Sequence, residues 1–129
     1  MKMIMSGFRY EVLAPSTFIV LLAGLFRRPL PQTVLRNKQT GQSYELPLHL
    51  EDQLDIVGDN YGACELSNTW SDKEPVSRLR RASVCCDLLC HALEQAMNGD
   101  EKQLSQLANL SMKDLASRID QRLSALASS

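Results

Sequence analysis

Aromatic residues are scarce in this 129-residue chain: three Phe, three Tyr and one Trp. Sheets and grooves that hold single-stranded nucleic acid stack bases on aromatic side chains set among cations, and no such interleaving is present. An excess of positive charge is also missing. Lys and Arg number 14 against 15 Asp and Glu, for a net charge of −1. A domain that lives on nucleic acid shows a basic surplus or stripe, so binding to a phosphate backbone is disfavoured. Glycine occurs six times, always singly, which excludes a glycine-rich phosphate loop. Only two histidines exist, His49 and His91. A nucleophile and base would require Cys90 or Ser83 to meet His49 across the fold, and no spacing indicates it. Long apolar runs are absent too. The longest, Phe18 to Phe26, has nine residues, against about 20 for a membrane span. Arg9 and Glu11 precede it closely and Arg27-Arg28-Pro29 follows with no small-residue cleavage site, which argues against a secretory signal.

The four cysteines, Cys64, Cys85, Cys86 and Cys90, are not spaced as a disulfide framework. Three fall within six residues of a helix-like stretch, where neighbours have poor bridging geometry, so they read as reduced thiols in a cytoplasmic protein. A zinc set of Cys64, Cys86, Cys90 and His91 lacks the usual knuckle spacing, and buried free cysteine packs as a small hydrophobe. The acidic pairs Glu51-Asp52 and Asp100-Glu101 read as solvated loops rather than an acid–base pair. No catalytic residue, metal ligand set or cofactor is expected, and the chain reads as non-enzymatic.

What is present is an ordinary globular composition, 44% apolar and 22% charged, in a length that suits one domain and buries about two thirds of its unfolded surface. Residues 1–14 are either a leader or a short strand, since Phe8, Tyr10 and Val12 alternate with Arg9 and Glu11. Residues 15–129 form a single domain. Pro15-Ser16-Thr17 opens a helix to about Phe26, with Arg27 and Arg28 at its negative end and Pro29 and Pro31 stopping it. Val34 to Leu48 reads as a hairpin, with residues 37–42 as the turn and Tyr44, Leu46 and Leu48 alternating. Pro47 implies an edge. Residues 53–57 form a further strand, 58–62 (GDNYG) a turn, and Cys64, Leu66 and Trp70 another strand. Residues 76–97 are the longest helix, with Leu79, Ala82, Cys86, Leu89, Leu93 and Ala96 on its stripe and Asp87 and Glu94 on other faces. Asn98-Gly99 ends it. Glu101 to Leu110 is either a strand or a helical turn. A final helix starts at Ser111, where Ser111 to Asp114 is a near capping box. The fold class is α+β: a small antiparallel sheet packed against a long amphipathic helix, with short N-terminal and C-terminal helices.

Two features of the long helix bear on partners. Leu79 to Val84 (LRRASV) resembles the substrate motif of basophilic kinases, but Ser83 lies beside the apolar stripe. Arg78, Arg80 and Arg81 form a basic rim. The stripe, with small residues beside leucines, suits either burial within one protomer or the seam of a symmetric dimer.

The order of these elements resembles the class I chaperones of type III secretion, above all those serving the gatekeeper protein of the secretion hierarchy. The residues carrying the resemblance are Phe18 to Leu30, the hairpin Val34 to Leu48, the long helix Val76 to Met97 and the closing stretch Met112 to Leu126. Family members carry further strands before the last helix, for which only Glu101 to Leu110 is available here. The resemblance implies a cytoplasmic homodimer, or a heterodimer with a second small chaperone, that holds an extended segment of a secreted effector or gatekeeper protein by strand addition and side-chain pockets. The groove would comprise Phe26, Leu35, Tyr44, Leu46, Leu54 and Ile56, and the dimer seam Leu79, Cys86, Leu89 and Leu93. A contrasting reading is a small phage- or plasmid-type regulator that binds DNA or a DNA-bound protein through Arg78, Arg80 and Arg81, with salt-sensitive binding.

Overall fold

The structure, a computed structural model, describes residues 2–15, 25, 33–67, 70 and 75–127. It is an α+β fold in which four strands precede four helices: β1 (Lys2–Ser6), β2 (Tyr10–Pro15), β3 (Val34–Asn37), β4 (Ser43–Glu45), α1 (Leu48–Leu66), α2 (Pro75–Met97), α3 (Lys102–Ala108) and α4 (Met112–Ala127). The strands form one antiparallel sheet in the order β1-β2-β3-β4.

Pleating sorts the sheet's residues. Tyr10 pairs with Asn37 and Val12 with Leu35 on the buried face, while Glu11 pairs with Arg36 on the other and makes an ion pair with it. The β3–β4 turn is built as its residues require. The Asn37 side-chain oxygen accepts from the amides of Gln39 and Thr40 at 2.9 and 3.3 Å. Gly41 takes the left-handed conformation (φ 76°) that glycine tolerates best.

Helix α2 crosses β1 and β2 and carries α1, α3 and α4 on its other side. Sandwiched in this way, it buries Arg81, Val84, Cys85, Cys86, Asp87, Leu89, Cys90, Ala92, Leu93 and Ala96, on nearly all sides of its middle turns. It ends as expected. Gly99 (φ 104°) donates to the Ala96 carbonyl and Asp100 to that of Gln95, the paired bonds of a Schellman cap. The Ser111 hydroxyl caps α4 through the Asp114 amide at 3.1 Å.

Several expectations change. Residues 53–57 are not a strand, 58–62 are not a turn, and Cys64 and Leu66 are not in a further strand: all lie in the 19-residue helix α1. Leu48 opens that helix and does not extend β4, with Pro47 at its N-cap. Leu50, Leu54, Val57, Tyr61 and Cys64 recur at steps of four and three, one face of a helix, and that face packs into the core. Its burial outweighs the cost of Gly58 and Gly62 within a helix, about 1 kcal/mol each. Pro15 closes β2 and does not open a helix. The rest of the helix expected through Phe26 lies outside the described residues, apart from Leu25, which is helical and exposed. Of the alternatives left open, Lys102–Ala108 is helical, and residues 2–15 supply two strands of the sheet. Trp70 is in a helical turn and buried. The two extra strands in the element order behind the chaperone resemblance are therefore replaced by a helix.

Candidate functional site

Two carboxylates on α2, seven residues apart, fasten the sheet. Asp87 is buried and accepts from three successive backbone amides of the β1–β2 turn: Phe8 at 3.1 Å, Arg9 at 3.0 Å and Tyr10 at 3.3 Å. The Arg9 side chain lies 3.9 Å away. Gly7 lets the turn come this close. A Cβ there would stand 2.8 Å from the Ser83 carbonyl oxygen and run into the Asp87 carboxylate. Glu94 accepts from the Tyr10 hydroxyl at 2.8 Å and from the Asn37 amide at 3.4 Å. Burial, then this hydrogen bond and the Glu94 charge, push the Tyr10 phenol up to about 12. Both carboxylates use their lone pairs on the fold, so their arrangement is that of structural clamps. Neither faces away from the sheet, as spacing along α2 alone implied.

A second buried cluster joins α1, α2 and α4. Arg81 is only 1% exposed and stacks over Trp70, 4.5 Å from the ring centre. Among the described residues its nearest carboxylate oxygen, on Glu65, is 4.0 Å away, and its Nε and one terminal nitrogen make no hydrogen bond. Glu65 accepts from the Tyr61 hydroxyl at 2.6 Å, and Trp70 donates to Asp120 at 3.3 Å. Arg81 is thus turned inward while Arg78 and Arg80 face out, with Arg78 also 4.0 Å from Glu65. The three arginines do not form the single basic rim expected.

All four cysteines are buried, and none is in a disulfide. Burial pushes the Cys85 thiol up to about 12 and raises that of Cys64; the hydrogen bond to Cys86, 3.8 Å away, and then burial raise that of Cys90. Thiols held protonated are weak nucleophiles and weak metal ligands. Among the described residues no group of three or more His, Cys, Asp or Glu is arranged to hold a metal ion. His49 is at the surface, 3.5 Å from Glu101.

The described residues expected to line a groove on the sheet are divided between the core and the surface. Leu35 and Leu46 are in the core. Tyr44 and Leu54 are half-buried against it from β4 and α1, Ile56 is exposed on α1, and Phe26 lies outside the described residues. Of the expected dimer seam, Cys86, Leu89 and Leu93 are fully buried within one chain, because the sheet and the other helices already cover both sides of α2. Leu79 alone of the four is exposed.

Among the described residues, an exposed surface with a helical pattern is the outer face of α1. Leu48, Asp52, Asp55, Ile56, Asp59, Ala63 and Leu66 are exposed and recur at helical steps opposite the buried Leu50, Val57 and Cys64. Leu66 is 92% exposed and Leu48 73%, with Leu79, at the start of α2, also 73%. No Lys or Arg occurs in α1. Partial burial, then the charges of Asp59, Glu51 and Asp52, raise the Asp55 carboxyl above its ordinary value. The face is apolar and acidic together. Sequence reasoning missed it because GDNYG reads locally as a turn, although the 4-3-4-3 spacing from Leu50 to Cys64 pointed to a helix. No helix among the described residues is long and apolar enough to cross a membrane. No protein-family model matches the chain, and neither the curated proteins nor the solved structures contain a match.

Proposed function

We propose that the chain is a non-catalytic protein-binding module that holds a segment of a partner protein. The observation that supports this is the outer face of α1. Leu48, Leu66 and the half-exposed Ile56 stand there among carboxylates, and burying either leucine would be worth about 1.5–3 kcal/mol, Ile56 about half as much. Apolar surface rimmed by charge is characteristic of protein interaction sites. The occupant matching this chemistry is an amphipathic segment with an apolar row flanked by Lys or Arg, docking helix to helix. As the partner class we retain a secreted effector or gatekeeper protein of type III secretion, with the chain as cytoplasmic chaperone or co-chaperone. The docking surface differs from the sheet groove that the resemblance implies.

The test is affinity purification of the tagged chain from its host at moderate salt, with mass spectrometry of what accompanies it. A secreted or gatekeeper-like protein in near-stoichiometric amount is expected, and it should be lost from Ile56→Arg and Leu66→Arg chains that unfold at the wild-type temperature. Recovery of nucleic acid or transcription proteins without any secretion component would overturn the reading. A partner retained by both variants would move the site off α1.

A further inference from the structure

A cleft of about 120 Å³ opens between the β1–β2 turn, α2 and the end of α4. Val84 and Leu88 of α2, Phe8 and Leu126 supply its apolar lining, and Arg9, Arg122 and Asp87 its polar atoms. Its size limits what it takes. An apolar cavity of about 150 Å³ accommodates a benzene ring, whereas cofactor and drug-sized sites run from about 300 Å³ upward. The cleft therefore fits one aliphatic or aromatic side chain.

Its charge narrows the occupant further. The Asp87 carboxylate is committed to three backbone amides of the turn and has Arg9 at 3.9 Å. Arg122 has no carboxylate within ion-pair distance among the described residues, and its helix presents it at the surface. An apolar hole bordered by one engaged and one unengaged guanidinium complements an apolar side chain with carboxylates beside it. Guanidinium groups suit carboxylates in particular, because their planar fork donates two parallel bonds.

From this geometry we infer that the cleft binds an acidic segment of a partner protein, seating one apolar side chain between Phe8 and Leu126 with its neighbouring carboxylates on Arg9 and Arg122. This site is separate in chemistry from the α1 face, which is acidic and calls for a basic partner, so it stands whether or not the proposed function does.

The test is an NMR titration of the full ¹⁵N-labelled chain with three blocked pentapeptides. One has leucine flanked by two aspartates on each side, one has asparagine in place of the aspartates, and one has alanine in place of the leucine. The first peptide should shift the signals of Phe8, Arg9, Leu88, Arg122 and Leu126. It should bind about fivefold or more tightly than either of the others, and Arg122→Gln should remove most of that advantage over the asparagine peptide. Arg122→Gln alters an exposed side chain and should leave the unfolding temperature unchanged. A Leu126→Ser chain with unchanged unfolding should lose the advantage of leucine over alanine. Equal binding of all three peptides, shifts confined to other surfaces, or no shift at millimolar peptide would overturn the inference. Shifts at the same residues on simple dilution of the chain would also overturn it, by making the occupant a second copy.

Discussion

Single side chains decide how the sheet meets α2. Asp87 satisfies three amides that would otherwise be left in or near the interior, and leaving a buried donor without a partner costs about 1–3 kcal/mol. Asp87→Ala should therefore lower stability by about 3 kcal/mol or more in urea unfolding. Asp87→Asn should cost less, because one oxygen still accepts. Gly7→Ala should be as damaging as Asp87→Ala, since it pushes the turn off the same carboxylate. Arg81 behaves differently. Its charge is buried with a carboxylate at 4.0 Å and two nitrogens unbonded, so its desolvation is poorly compensated. Arg81→Met should cost less than Glu65→Ala. The latter leaves the buried guanidinium without its anion and Tyr61 without its acceptor. Urea midpoints of the two variants, compared at equal slope, check the order.

At the scale of elements, α1 shows local and tertiary preferences in conflict. Its glycines and the Asp59-Asn60 pair favour a turn, and the face from Leu50 to Cys64 favours a helix that packs. Among the described residues, nothing lies within 4 Å of a Cβ added at Gly58 or Gly62. Gly58→Ala and Gly62→Ala should each stabilise the chain by about 0.5–1 kcal/mol, through the restricted unfolded state and better helix propensity. A thermal melt of each variant gives the sign. A turn with left-handed backbone at these positions would give the opposite one. The hairpin and the helix-ending Gly99 were legible because their signals act over a few residues and agree with the packing around them.

For the whole molecule, the interior holds groups that must stay protonated. The ordinary value is 9.0 for a thiol and 10.0 for a phenol, and Cys85 and Tyr10 are each pushed up to about 12, with Cys64, Cys90 and Tyr61 also raised. A group that binds its proton more tightly in the fold contributes its full stabilisation below the unfolded value, and that contribution is lost as pH rises through the folded value. Stability should thus be flat below pH 9 as far as these groups are concerned, then fall steadily from about pH 9 to 12. In Tyr10→Phe the fall above pH 10 should be shallower, while the loss of its bond to Glu94 lowers stability at neutral pH. Urea midpoints of both chains across this range read the two effects separately.

The sequence by itself determined the α+β class, the hairpin after Val34, the extent of α2 and its glycine stop, and the serine cap of α4. Each follows from periodicity or from a residue whose backbone or side chain acts on its own neighbours. Tertiary structure alone decided the rest. It made a helix of residues 48–66, turned Arg81 and Asp87 inward, and buried Cys86, Leu89 and Leu93 within one chain. It also brought Phe8, Arg9, Arg122 and Leu126 around one cleft. Those outcomes depend on which surfaces meet between elements far apart in the chain, from Trp70 and Arg81 to Phe8 and Leu126, and on burial energies that exceed local preferences of about 1 kcal/mol.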